Sequence, residues 1–213
     1  MNEELLRFNK KQKYLVFDFE TCNLNLASMQ NKPWQLAFLV IENDKVKERC
    51  DYWIKWNDLK MSDGARRVTG WTEKMYNSKA VDPIAPLKHF ERYLYDDSYR
   101  KVGHNILGFD VYIHNIYRRL CGKKPDYSYI PDCIDTLCLA KGIKKNIKFQ
   151  RGDNFTAWQY KLNGFFERKL RASLTQCCKD YQIDFDPKKL HNALYDIEKN
   201  YAVFQKMIWE IEV

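Results

Sequence analysis

Hydrophobic positions at the beginning of the chain follow patterns that predict three β-strands. Residues 14–20 are mostly β-branched or aromatic, and residues 34–42 (WQLAFLVIE) are almost continuously apolar. Residues 45–56 alternate between polar and apolar side chains, which is typical of a half-exposed antiparallel strand. A turn at residues 42–45 (ENDK) joins the second strand to the third. The pattern therefore predicts a three-stranded meander.

Beyond the meander, apolar residues recur at three- and four-residue spacing, which predicts helices. The predicted helices cover residues 62–68, 72–77, 83–95, 109–120, 135–141, 173–181 and 194–211, and one short strand covers residues 100–104. Gly122 and Gly142 are predicted to end two of these helices, because glycine readily adopts the left-handed conformation past a helix end. Ser173 and Gln176 form a capping box. Residues 144–171 are basic and interrupted by glycine, so we expect a mobile loop or insertion there.

This order of elements predicts an α/β fold. An apolar first strand with helical segments around it needs cover on both faces, so we expect it to lie in the centre of the sheet. The chain of 213 residues suits one domain, and we assign residues 1–213 to it.

Composition narrows the class of partner. A net charge of +8 favours polyanionic partners such as nucleic acid, because neutralised phosphates release counterions. Aromatic residues make up 15% of the chain and suit base stacking. Its seven cysteines form no CxxC pair, which favours reduced thiols. With no apolar run of about 18 residues and no secretory signal at Met1, we expect no membrane contact and an intracellular location, cytoplasmic or, in a eukaryote, nuclear.

The most informative polar residues lie at the end of the first strand. Asp18 and Glu20 are two residues apart, so both side chains point to one face while Phe17 and Phe19 point to the other. Two neighbouring carboxylates in a buried strand are costly unless a cation joins them. Such a cation needs further oxygen ligands. Two downstream acids are suitably placed: Asp110 follows the fourth strand at a helix start, and Asp196 begins the last helix.

These residues form three motifs with a familiar order and separation: Asp18-Phe19-Glu20-Thr21, Asn105 with Phe109-Asp110, and His191-x-Ala193-x-x-Asp196. The chain thereby resembles the DEDD superfamily of 3′-to-5′ exonucleases. A histidine five residues before the last aspartate resembles the DEDDh branch, which contains proofreading exonuclease subunits and ribonuclease T. The tyrosine branch would need tyrosine where Asn192 stands. The resemblance implies a ribonuclease H-like fold, with a mixed sheet of about five strands in the order 3-2-1-4-5 and helices around it.

The resemblance also implies a mechanism. Two Mg²⁺ ions, for which Mn²⁺ can substitute, would be held by Asp18, Glu20, Asp110 and Asp196, and oxygen ligands of this kind suit both metals. His191 would be the general base. Thr21 and Leu24 would contact the terminal nucleotide, and Asn105 would help hold the substrate strand. The products would be nucleoside 5′-monophosphates released from the 3′ end of single-stranded DNA or RNA.

Two departures from the family pattern concern the loops. Cys22 and Asn23 stand where many members have threonine and glycine, which bears on contacts to the terminal nucleotide. The segment from Asn105 to Asp110 is one residue longer than in many members, and we expect Gly108 to absorb the extra residue. Neither departure changes an inferred metal ligand.

Several alternatives remain open at this point. The same site would serve an exoribonuclease, because the sequence does not show which residue would read a 2′-hydroxyl. A catalytically idle nucleic-acid-binding or polymerase-associated module, or a cysteine-nucleophile enzyme, is a different class of explanation. A polymerase or a second copy of the chain are the candidate protein partners. A further hypothesis is that Lys148, Arg151, Trp158 and Tyr160 grip a nucleic-acid strand by charge and stacking.

Overall fold

A mixed five-stranded sheet forms the centre of the computed structural model, which describes residues 5–150 and 152–213. Its strands are β1 (Lys13–Thr21), β2 (Pro33–Glu42), β3 (Lys45–Trp53), β4 (Tyr99–Gly103) and β5 (Cys133–Asp135). They lie in the order β3-β2-β1-β4-β5. The pairs β1–β2 and β2–β3 are antiparallel, whereas β1–β4 and β4–β5 are parallel. The predicted α/β class, the central first strand and the strand order are confirmed.

Eight α-helices are present in the described part of the chain. They are α1 (Asp63–Thr69), α2 (Glu73–Lys79), α3 (Ile84–Leu94), α4 (Asp110–Leu120), α5 (Thr136–Lys145), α6 (Phe155–Gly164), α7 (Leu174–Asp180) and α8 (Ala193–Met207). Ser173 caps α7 as predicted, since its hydroxyl accepts the Gln176 N–H. Gly122, just beyond α4, adopts the left-handed conformation with φ of 74°. None of the helices in the described residues is long and apolar enough to cross a bilayer.

Strand β1 divides the core into two layers. Val16 belongs to the cluster that also contains buried side chains of α5, α7 and α8. Phe17 and Phe19 belong to the opposite cluster, with residues of α3 and α4. This division follows from the two-residue period of a strand. The side of β1 that carries Val16 is therefore the side that carries Asp18 and Glu20.

The prediction that Gly142 ends a helix is wrong. Helix α5 continues through Gly142 and ends at Asn146, which adopts the left-handed conformation with φ of 51°. Gly142 instead lets the Trp158 ring approach, because a Cβ at this position would lie 2.9 Å from that ring. Asparagine tolerates the left-handed conformation better than most residues, so it serves as the cap in place of glycine.

The expected loop or insertion at residues 144–171 is also corrected. Helix α6 occupies the middle of that segment and buries Trp158, Gln159 and Leu162 against the core. The Trp158 ring stacks on Phe155 at 5.8 Å, so it is not free to stack on bases. The segment is helical despite its basic ends, because burial of the apolar face of α6 stabilises the helix far more than the exposed lysines destabilise it. Arg151 lies outside the described residues.

Helices α3 and α4 are joined by an ion-pair network around Glu91. Its carboxylate is paired with Arg118 and Lys123 and lies 3.4 Å from His114 Nε2. Partial burial raises the pKa of Glu91, but the hydrogen bonds from His114 and Lys123 and the charge of Arg118 outweigh burial and lower it to about 2. Glu91 is therefore a structural acid.

Candidate active site

Strand β1 supplies the first two carboxylates of the candidate site. Asp18 and Glu20 lie near its carboxyl end, in a cleft where they keep partial access to solvent. Parallel pairing with β4 ends at Val16, so the last residues of β1 are free on that side. Ligands commonly bind at such strand ends in α/β sheets.

Helix α4 supplies the third carboxylate. Asp110 is the first residue of the helix and is 1% exposed. Its Oδ1 accepts the backbone N–H of Phe19 at 3.0 Å. This hydrogen bond ties the start of α4 to β1 between Asp18 and Glu20, and it uses an N–H that β4 leaves free. The structure therefore places Asp110 directly beside the β1 pair.

The fourth carboxylate and the histidine come from the start of α8. Asn192 caps this helix by accepting the N–H of Tyr195. Asp196 Oδ2 accepts the backbone N–H of His191 at 2.9 Å, and His191 has φ of 62°. Glu20, His191 and Asp196 each offer one potential ligand atom within 4.8 Å of the others. The three segments proposed from the sequence therefore converge on one cleft.

The electrostatics of the cleft favour a cation. Burial raises the pKa of Asp18 well above its usual range, and the neighbouring carboxylates, Asp110 first, raise it further. Burial followed by the charge of Asp196 does the same to the pKa of Glu20. Asp196 Oδ1 is buried without a hydrogen-bond partner. A buried acceptor and several crowded carboxylates are the features that a divalent cation would satisfy.

Asp196 and His191 also have shifted acidities. Burial raises the pKa of Asp196 to about 7, although the His191 N–H opposes the rise. Partial burial lowers the pKa of His191 below its ordinary value of 6.5. The imidazole is therefore predominantly neutral at pH 7, which leaves a ring nitrogen able to accept a proton.

The three proposed substrate contacts differ in exposure. Thr21 is buried, and its hydroxyl donates to the carbonyl of Asn23 at 2.6 Å. Leu24 is 82% exposed. Asn105 adopts φ of 65° and lines a cavity of about 540 Å³ together with His191 and Asp196. Leu24 and Asn105 are therefore accessible to a ligand, whereas the Thr21 hydroxyl already has an internal partner.

Sequence reasoning missed a buried acid that supports the site. Asp135 Oδ1 accepts the N–H of Asn105 at 2.8 Å, and its Oδ2 accepts the N–H of Leu107 at 3.1 Å. Its side chain also caps α5. Asp135 thus holds the loop that leads into Asp110. The available signal was an aspartate directly before a helical pattern, which is a typical N-cap.

Gly108 permits the tight path of that loop. A Cβ at this position would lie 2.4 Å from Asn105 Oδ1. Asn105 Oδ1 in turn accepts an N–H from Asn163 of α6 at 3.1 Å. The segment predicted to be a loop therefore contributes a residue that orients Asn105.

Comparison with known proteins identifies the family. A family model described as exonuclease matches residues 15–204. The chain belongs to the DEDD exonuclease family. Its relatives include the PolC-type DNA polymerase III of Ureaplasma parvum, which is 25% identical over 195 residues. That match covers 91% of this chain but 11% of the polymerase.

Solved structures support the fold of this member of the DEDD exonuclease family. E. coli exonuclease I in complex with a dA16 oligonucleotide superposes with a TM-score of 0.72 at 16% identity, over 93% of this chain and 41% of that one. The zinc-bound form of the E. coli exonuclease I complex with single-stranded DNA gives 0.70 at 17% identity, over 92% and 40%. The chain therefore spans about two fifths of these exonuclease I chains, and the expected ribonuclease H-like fold is confirmed.

Proposed function

We propose that this protein is a metal-dependent 3′-to-5′ exonuclease that removes nucleoside 5′-monophosphates from DNA ends. The observation that carries the proposal is the convergence of four carboxylates and one histidine from three separate segments of the chain. Membership of the DEDD family supplies the reaction class. The strand bound in the two exonuclease I complexes is DNA, which favours DNA as the substrate here.

The residues present fit two divalent cations of the Mg²⁺ type. Asp18, Glu20, Asp110 and Asp196 would hold them, with Mn²⁺ as a substitute, because hard oxygen ligands suit these ions. The partnerless Asp196 Oδ1 is the observation in this chain that favours a ligand role. When bound, two such ions would activate the attacking water and stabilise the charge that develops on the phosphate and leaving oxygen.

His191 would act as the general base. Its ring is neutral at pH 7 because partial burial lowers its pKa. The proton of the attacking water would pass to an imidazole nitrogen, which is the transfer expected of a histidine near its pKa. Asp196 has a second task, since its Oδ2 fixes the backbone of His191 at 2.9 Å. One side chain would thereby both bind metal and position the base.

Around the reacting phosphate, Leu24 and Asn105 would hold the terminal nucleotide and the strand. Asn105 is fixed through its backbone by Asp135 and through its amide by Asn163. Thr21 would contact substrate through its backbone or methyl group, because its hydroxyl is taken by Asn23. The likeness to a PolC-type polymerase supports a polymerase as the protein partner.

The test follows digestion of 5′-labelled single-stranded DNA and RNA of matched sequence in Mg²⁺. We expect a ladder that descends from the 3′ end one nucleotide at a time, faster on DNA. His191→Ala should lower the rate by about 10²- to 10⁴-fold, the usual contribution of a general base. Asp196→Ala should lower it at least as much. Asp184→Ala is the matched control, because this acid is exposed and lies outside the cleft.

Each other outcome changes the proposal in a defined way. Faster digestion of RNA than of DNA would identify the protein as an exoribonuclease, which is the second candidate function of the same site. Immediate release of the 5′ label as a mononucleotide, without a ladder of labelled intermediates, would refute the direction. The absence of digestion on both polymers, on duplex ends and with Mn²⁺ would establish a binding module with an idle site.

A further inference from the structure

A second cluster of metal-binding side chains lies on the opposite face of the sheet from Asp18. Glu48 and Cys50 are two residues apart on the edge strand β3, so they share a face. Cys50 packs against the core layer that contains Phe17 and Phe38. His89 reaches the same place from α3. One potential ligand atom from each of Glu48, Cys50 and His89 lies within 4.8 Å of the others.

In the metal-free protein the inner atoms of the cluster contact one another, and a bound ion would replace that contact. His89 Nε2 lies 3.0 Å from Glu48 Oε2. The other Glu48 oxygen is already used, since Oε1 accepts from Arg92 at 3.2 Å and from the Tyr93 hydroxyl. His89 Nδ1 lies 2.8 Å from the Tyr52 hydroxyl. Metal-binding histidines commonly donate their second ring N–H to such a partner, which fixes the tautomer and the ring.

We propose that Glu48, Cys50 and His89 form a zinc-binding site. A thiolate, an imidazole and a carboxylate are the ligand types that zinc takes, and a water molecule would complete the tetrahedron. Mg²⁺ prefers oxygen ligands and would not be selected by a thiolate. An ion can enter from solvent because the Glu48 and His89 side chains are 34% and 27% exposed.

The proton and charge balance of the site is simple. A cysteine carries its proton at neutral pH unless a nearby cation or metal stabilises the thiolate, so the free protein carries the thiol. Binding replaces the thiol proton by the metal, and that proton passes to solvent. One thiolate and one carboxylate then neutralise the two charges of the ion. Zinc binding should therefore release one proton per site near neutral pH.

The position of the cluster indicates a structural role. Strand β3 has a strand partner on only one side, and the cluster joins it to α3 on one face. A bound ion would link these elements, and a ligand that binds only the folded state raises the melting temperature. The inference does not rest on the proposed exonuclease function, because none of its ligands belongs to the carboxylate cleft.

The test titrates metal-free protein with Co²⁺ as a spectroscopic stand-in for zinc, in excess Mg²⁺ to occupy oxygen sites. We expect a thiolate-to-cobalt charge-transfer absorption with one equivalent bound, which excess Zn²⁺ removes. Cys50→Ser should abolish this absorption. Tyr52→Phe should weaken zinc binding by about 10- to 100-fold, as loss of such outer partners does. Cys121→Ser is the matched control, since Cys121 is likewise a half-buried free cysteine.

Folding of each variant is checked by circular dichroism before titration. The proposal is overturned if the wild type gives no thiolate absorption, if Cys50→Ser keeps it, or if Cys121→Ser loses it. The cobalt absorption reports on the thiolate directly, so its outcome is the same whether or not the protein digests DNA.

Discussion

In the metal-free protein, the ionised Asp196 carboxylate should lower the free energy of unfolding. Its Oδ1 is buried without a partner, and burial raises its pKa to about 7. In Asp196→Asn, the amide oxygen can still accept the His191 N–H, while the amide nitrogen can donate toward Glu20, whose oxygen lies within 4.8 Å. The substitution removes a buried charge and gives the buried atom at this position a hydrogen-bond partner. We therefore expect it to stabilise the protein while it abolishes the proposed exonuclease activity.

The magnitude follows from the pKa. A rise from 3.8 to about 7 corresponds to at most about 4 kcal/mol. Water that remains in the cleft screens the buried charge and reduces this free energy, so we expect a stabilisation of about 2 kcal/mol. For a chain of this size that is about 4 to 8 °C in melting temperature. The assay is thermal unfolding in EDTA at about pH 8, above the folded pKa, where the carboxylate is ionised.

The stability effect of Asp196 should depend on pH. A carboxyl group whose folded pKa is raised stabilises the folded state at low pH, and this contribution is lost as pH rises through 7. The advantage of Asp196→Asn should therefore shrink as pH falls from about 8 toward 4. Mn²⁺ should stabilise the wild type more than the variant. Asp184→Asn is the exposed control. This reasoning would be refuted if Asp196→Asn melts at a lower temperature than the wild type in EDTA. It would also be refuted if the difference in melting temperature does not change with pH.

Four further substitutions test positions outside the cleft. Gly142→Ala should destabilise the protein by about 1 to 3 kcal/mol in urea unfolding, because its Cβ would meet Trp158 at 2.9 Å. Gly64→Ala, also helical but with its nearest neighbour at 4.0 Å, should instead stabilise by up to about 1 kcal/mol. Asp135→Ala should cost at least about 2 kcal/mol in the same assay, since several backbone N–H groups lose their acceptor, and an unchanged midpoint would contradict that role. Because the pKa of Glu91 is lowered to about 2, its ion pairs stabilise the fold above about pH 4.5 and are lost as pH falls toward 2. Glu91→Gln should therefore reduce the loss in free energy of unfolding between pH 4.5 and 2 by about 1 to 2 kcal/mol.

Much of the sheet was readable because its signals are local. Strand β1 could be read from its two-residue period, which also separated Asp18 and Glu20 from Phe17 and Phe19. The convergence of the three motifs was predictable from their spacing and the resemblance to the exonuclease family. Nothing about that convergence required knowledge of a particular side-chain distance.

Helix ends and supporting residues were harder to read, because distant contacts decide them. Gly142 looks like a helix end in the sequence, yet the approach of Trp158 makes glycine necessary inside the helix. Asp135 looks like an ordinary helix cap, and only the fold brings Asn105 and Leu107 to its carboxylate. These choices depend on packing between segments that are far apart along the chain.

The sequence by itself determined the strand alternation, the strand order expected of the family and the identities of the five candidate catalytic residues. Periodicity and motif spacing are properties of neighbouring positions, so the sequence contains them. Tertiary structure alone decided that Asp196 holds His191 through its backbone, and that His89 joins Glu48 and Cys50. Those arrangements depend on how α8 and α3 pack on the sheet, and packing joins residues whose separation along the chain carries no periodic signal.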